Sequence, residues 1–352
     1  MSLQFTYPSG LGCLPRIPRE RLFPGDTPLE YMPNLARECD AGKLLVKRDD
    51  CTVLAFGGNK VRQLEFYFGE ALNQGADTVL ITGAVQSNFV RLAAASAAKL
   101  NMACHIQLED RVDKADAMYH ESGNVLLDKL FGATLHYYDE GEDEFGADRK
   151  LREIAADLEK KQGCKTYIIP LAPNHKPLGA LGYVVAANEL LQQFAAMDLE
   201  VDEIAVGSGS GNTHGGILFG LRALGSSIAV RGVCVRRDAT VQKPRIIKRC
   251  QEIADLLEMA NPVADEDVIV DDNFYLPGYG KLNAATNEAL LLAARKEGLV
   301  LDPTYTGKVM AGFIDRARSL GSDKTLVFLH SGGTPGVFAY QNSILEAIAS
   351  VG

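Results

Sequence analysis

A lysine at position 60 stands where a helix should begin, directly after Phe56-Gly57-Gly58-Asn59. The amino-terminal end of a helix repels cations, so an ordinary charged lysine is badly placed there. That cost disappears when the amine is uncharged, as in an imine with an aldehyde cofactor, and a partly desolvated amine is also a better nucleophile. The two glycines let backbone pack closely against a flat ligand. The plain alternative is a surface lysine after a glycine turn.

A second loop, Thr82-Gly83-Ala84-Val85-Gln86-Ser87-Asn88, joins a strand pattern to a helical one. Ser87 suits an N-cap, and a Ser-Asn pair at a helix start also offers N–H groups and a hydroxyl to a carboxylate. A third, Gly207-Ser208-Gly209-Ser210-Gly211-Asn212-Thr213-His214-Gly215-Gly216, holds five glycines in ten residues. Such a loop entering a helix presents N–H groups and hydroxyls to a phosphate, and the helix dipole adds to the attraction. A Walker loop would end G-K-[ST], which is absent. A dinucleotide fingerprint is better approximated, but the next strand ends Val235-Arg236-Arg237-Asp238 without a clean ribose-binding acid. An NAD(P)-dependent oxidoreductase is therefore the rival reading. The fourth and fifth loops are Asp302-Pro303-Thr304-Tyr305-Thr306-Gly307-Lys308 and His330-Ser331-Gly332-Gly333-Thr334-Pro335. Tyr279, in Leu276-Pro277-Gly278-Tyr279-Gly280, reads as an aromatic on an exposed loop.

The elements that position these loops alternate. Strands are expected at 44–47, 78–82, 103–108, 134–138, 166–170, 203–206, 230–235 and 325–330, with helices at 60–73, 88–100, 146–162, 179–194, 212–224, 242–259, 282–297 and 307–320. Strand–helix alternation with short loops signals βαβ units and a parallel sheet, and continuous apolar runs fit strands covered on both faces. One sheet of that many strands would be long, so two α/β domains are expected. Residues 53–165 would form a smaller inserted domain, and residues 1–52 with 166–352 the larger one. The seams fall near 51–58 and near 165–178, the latter marked by Pro170, Pro173 and Pro177.

With 352 residues, 47% hydrophobic and 23% charged, the chain can bury a sizeable core. Its net charge of -9 argues against a nucleic-acid partner, which would need a basic face. Arg236-Arg237 and Lys248-Arg249 read as solvated pairs. Seven cysteines, odd in number and without C-x-x-C spacing, suit a reducing cytoplasm, and the six histidines form no legible metal site. No run approaches the ~18 apolar residues of a membrane span, and the first ten residues lack the pattern of a signal peptide.

Taken together, K-R-D-D at 47–50, G-G-N-K at 57–60, Q-S-N at 86–88, G-S-G-S-G-N-T-H at 207–214, P-G-Y-G at 277–280, D-P-T-Y-T-G-K at 302–308 and H-S-G-G-T-P at 330–335 resemble the D-cysteine desulfhydrase and 1-aminocyclopropane-1-carboxylate (ACC) deaminase family. The resemblance runs from about Pro24 to Tyr340. It implies pyridoxal 5'-phosphate as cofactor and an α/β, two-domain, open twisted parallel-sheet architecture of fold type II. Lys60 matches the Schiff-base lysine, with Asn59 beside it in the cofactor set, and Asn88 matches the residue on the cofactor's phenolic oxygen. Ser208, Gly209, Ser210, Gly211, Asn212 and Thr213 match the phosphate loop. Ser331 matches the hydroxyl facing the pyridine nitrogen, with Thr306 nearby. Ser87 matches a group that contacts the substrate carboxylate and handles protons; Gln86, Asn88 and Phe89 join it in the substrate set. Tyr305 and Tyr279 match active-site tyrosines. A homodimer and a small amino-acid substrate follow from the same resemblance.

Two departures carry information. Thr306 and Ser331 stand where ACC deaminases carry an acid and an apolar residue, which resembles the desulfhydrase branch. A hydroxyl on the ring nitrogen makes a weaker electron sink than a carboxylate, and β-elimination tolerates that better than opening a cyclopropane. Phe89 stands where desulfhydrases carry histidine, which leaves room for another β-substituted substrate. The expected activity is α,β-elimination to pyruvate and ammonia. ACC deaminase and L-cysteate sulfo-lyase activity are the alternatives, together with a cofactor-bearing sensor that lost its chemistry.

Overall fold

Ten strands can be placed in the computed structural model, which describes residues 7–112, 116–171 and 175–349. Pro173 of the second expected seam and residues 1–6 lie outside these. The strands are β1 (Leu29–Tyr31), β2 (Lys43–Lys47), β3 (Thr78–Ala84), β4 (Ala103–Glu109), β5 (Thr134–Tyr138), β6 (Thr166–Ile169), β7 (Glu203–Ser208), β8 (Ala229–Cys234), β9 (Ile269–Asp271) and β10 (Thr325–Leu329).

They make two sheets. One has the order β1-β2-β10-β7-β8-β9, parallel except for β1, which runs antiparallel to β2; the other, β5-β4-β3-β6, is parallel throughout. Parallel strands need helices on both faces, and β3 and β10 are accordingly buried at every position. The eight expected helices are present, with ends shifted by a few residues. β1 and β9 were not expected, since three residues carry too little periodicity to register.

A boundary between residues 165 and 166 does not suit the strand pairing. β6 lies parallel to β3, with Thr78 opposite Thr166 and Ile81 opposite Ile169, so it belongs to the smaller sheet. The chain leaves that sheet only after Ile169, at Pro170, whose missing N–H cannot extend the ladder.

Beneath the start of the helix Lys60–Asn73 is a buried ionic network. The Arg62 guanidinium donates to both oxygens of Asp49 (Nε 3.0 Å, Nη2 2.9 Å) and both of Glu189 (Nη1 2.7 Å, Nη2 2.8 Å). Tyr183 donates to Asp49 at 2.5 Å, and the Lys47 ammonium donates to Glu189. Asp49 and Arg62 come from the loop after β2 and from the second residue past Lys60, so the network fixes where this helix begins.

Candidate active site

The loops that follow β3, β6, β7, β8 and β10 open on one cleft, where open α/β sheets place their ligands. Asn59, Lys60, Ser87, Asn88, Phe89, Gly209, Ser210, Asn212, Tyr279, Tyr305 and Ser331 all line it.

Lys60 begins its helix after an unusual turn. Val53, Ala55 and Phe56 have φ of 50°, 46° and 67°, and Gly57 and Gly58 follow at 62° and 127°. L-residues enter this left-handed region at a cost, and such strain gathers at functional sites. The fully buried Arg91 holds the turn, donating to the carbonyls of Ala55 and of Gly57, the latter at 3.0 Å. A Cβ on Gly58 would lie 3.0 Å from the Ser331 carbonyl, so two site loops touch through a glycine. The Asn59 amide N–H donates to that carbonyl at 3.0 Å. Among the described residues the Lys60 amine hydrogen-bonds only Gln63 Oε1, at 3.5 Å, and no carboxylate; burial pulls it down to about 8. A free-base amine is thus accessible near neutral pH.

Ser87 caps the helix Asn88–Lys99, its hydroxyl oxygen accepting from the Phe89 N–H at 3.2 Å. The capping bond uses an oxygen lone pair and leaves the O–H free to donate into the cleft. Asn88 Oδ1 accepts from Asn124 at 3.1 Å, which aims its NH2 group elsewhere. The phenol oxygens of Tyr279 and Tyr305 are 2.5 Å apart. Tyr279 is 9% exposed, so it is a buried member of the site and not a residue on an exposed loop. Burial pushes both phenols above their ordinary value.

Several expected site residues turn away. The Gln86 amide donates to the carbonyls of Tyr119 (2.5 Å) and Ser122 (3.0 Å) and accepts from the Asn124 N–H (2.9 Å), which binds it to the Tyr119–Asn124 segment and not to a substrate. Thr306 folds back to donate to Asp302 Oδ1 at 2.7 Å and is fully buried, away from the cleft wall. The Ser208 hydroxyl meets His214 Nδ1 at 3.0 Å and Gln242 Nε2 at 2.9 Å, beneath the loop. Gly211, at φ 98°, supplies the turn, and Thr213 accepts from Asn59 Nδ2 (2.9 Å) and Gln63 Nε2 (3.1 Å). Gly209, Ser210 and Asn212 are the loop residues that face the cleft.

Beside the Gly209–Asn212 turn the cleft is basic. Arg236 and Arg237 line it and donate to Glu144 at 2.9 and 2.5 Å; Arg249 is buried there, and Arg245 Nε donates to the Ser210 carbonyl at 3.4 Å. These arginines are parts of the cleft, not solvated pairs; of the two expected surface pairs only Lys248 is exposed. Tyr67, Arg111 and Glu144 also line the cleft and were missed, because nothing local in sequence brings them together.

A flat aldehyde with a phosphate tail suits these residues. Lys60 supplies an amine with no acid partner among the described residues, Gly58 makes the close approach, and the Gly209–Asn212 turn leads into the helix Asn212–Ala223, whose first N–H groups suit a phosphate.

The model of the pyridoxal-phosphate-dependent enzymes matches residues 21–332, and the chain belongs to that family. It is a pyridoxal-phosphate-dependent lyase, which sets the NAD(P)-dependent reading aside. Among its relatives are D-cysteine desulfhydrases of Salmonella choleraesuis (strain SC-B67) and Salmonella typhi, each 41% identical over 329 residues, 93% of this chain and 97% of theirs. A solved structure described as an ACC deaminase homologue shares 35% identity at a TM-score of 0.86, covering 97% of this chain and all of its own. A hydrogen-sulfide-producing enzyme of Fusobacterium nucleatum, 17% identical with a TM-score of 0.60 over 88% of this chain and 96% of its own, shares the fold.

Proposed function

We propose that the chain catalyses α,β-elimination from a small β-substituted amino acid, as a D-cysteine desulfhydrase does, in the cytoplasm and as a homodimer. With D-cysteine and water the products are pyruvate, ammonia and hydrogen sulfide. The observation that carries this reading is the Lys60 amine, buried and without a carboxylate partner among the described residues, in one cleft with Ser87, Asn88, Tyr279 and Tyr305. Bound there, pyridoxal phosphate supplies the electron sink that makes loss of the Cα proton feasible.

The remaining work falls to side chains of this protein. Lys60, whose depressed pKa of about 8 brings its unprotonated form within reach near neutral pH, takes the proton from Cα. The Ser87 hydroxyl, whose O–H is free of the capping bond, holds the substrate carboxylate at the start of its helix. The hydrogen-bonded tyrosines can hand a proton to the leaving sulfur. Gly209, Ser210 and Asn212, which line the cleft, would hold the cofactor's phosphate, and Ser331 would contribute its hydroxyl to the ring. The seven unpaired cysteines suit a reducing compartment, and the homodimer rests on family resemblance, to be checked by light scattering.

The test is release of pyruvate from D- and L-cysteine, L-cysteate, β-chloroalanine, serine and ACC. D-cysteine or another β-substituted amino acid should exceed ACC, and Lys60→Ala should remove turnover. Faster ammonia release from ACC than from any of the others would overturn the reading.

A further inference from the structure

Lys308 closes the D-P-T-Y-T-G-K motif, yet it does not line the cleft and the reaction above makes no use of it. Its side chain is fully buried. The ammonium donates to two backbone carbonyls, those of Tyr275 and Gly278, each at 2.6 Å. Burial pulls the amine down to about 8, and no acid among the described residues counters that. Burying an ammonium on neutral acceptors is costly, so a fold that keeps one gains from holding two carbonyls at a single point.

Both carbonyls belong to the turn that delivers Tyr279, and Lys308 stands one helical turn past Tyr305 in the helix Thr306–Leu320. On the other side Tyr305 is anchored by Asp302, which accepts the N–H groups of Thr304, Tyr305 and Thr306 at 3.0, 2.9 and 2.9 Å. Asp302 fixes Tyr305 to its helix, and Lys308 fixes the Tyr279 turn to the same helix.

We propose that Lys308 is a positioning residue for the tyrosine pair: by gripping the Tyr275 and Gly278 carbonyls it keeps the Tyr279 hydroxyl within hydrogen-bond distance of Tyr305. Lys308 thus acts on turnover through Tyr279, and this rests on the role given to the tyrosines above.

A double-mutant cycle on the cofactor-loaded enzyme tests it, with Lys308→Met, Tyr279→Phe and the pair measured for kcat, KM and cofactor absorbance. Each single change should lower kcat about tenfold or more with absorbance retained, and the double variant should be no slower than the slower single, because coupled residues are not additive. Multiplied losses in the double variant would overturn the proposal. A Tyr279→Phe enzyme with undiminished kcat would instead remove the tyrosine role and leave elimination itself standing. If Lys308→Met does not fold, Lys308→Gln, which keeps an N–H donor, takes its place in the cycle; failure of both to fold makes Lys308 a matter of stability alone and overturns the proposal.

Discussion

The Lys60 amine lies 5.5 Å from the centroid of the Phe89 ring. An apolar ring at this distance displaces water and supplies no acid, so burial acts on the amine unopposed and brings it from 10.5 to about 8. Between those values the unfolded chain holds more protons than the folded one, so this group's contribution to stability rises with pH across that window. In cofactor-free protein, Lys60→Met should flatten the rise of the urea midpoint between pH 8 and 10.5 and should be more stable than the parent at pH 7. Parallel curves for the two proteins would contradict a depressed Lys60.

Phe89→His should put a titratable group beside that amine. kcat/KM for D-cysteine is expected to rise, on the order of tenfold, with a new limb in the pH profile near the ordinary histidine value of about 6.5. An unchanged profile and an unchanged order of substrates would show that position 89 does not set specificity.

Arg62 neutralises Asp49 and Glu189 together in the protein interior. Arg62→Met leaves two buried carboxylates with Lys47 as their remaining cation, and breaking such a pairing costs about 3–5 kcal/mol. Because Arg62 is two residues from Lys60, cofactor affinity should fall along with the melting temperature. A variant with native melting temperature and full cofactor content would refute the network's role in setting the helix start.

Gln86→Ala separates a structural role from a substrate role. Losing three buried hydrogen bonds should lower stability by roughly 2–3 kcal/mol, read as a shift in the denaturant midpoint, while KM changes less than about threefold. A large rise in KM at unchanged stability would return Gln86 to the substrate.

Glycine density made the Gly207–Gly216 loop legible, since few other structures require so many positions free of a Cβ. Lys60 was legible because a cation is out of place at a helix start. The basic wall was not: Arg236 and Arg237 acquire their meaning from Glu144, about ninety residues away in sequence, and a pair of adjacent arginines looks the same whether solvated or in a cleft. Thr306 matched a motif position, but hydrogen bonds with the Asp302 carboxylate and N–H take its hydroxyl off the cleft. The strand Thr166–Ile169 was read correctly, whereas its sheet was not, because which neighbour a strand pairs with is decided by tertiary packing.

Borohydride reduction of the cofactor-loaded protein, followed by peptide mapping, asks most directly whether Lys60 carries the cofactor. The pyridoxyl group should be found on the peptide containing Lys60, and Lys60→Ala should remove both that label and the visible absorbance. A label on Lys176, Lys308 or any other lysine in the unaltered protein, with Lys60 unmodified, would contradict the account.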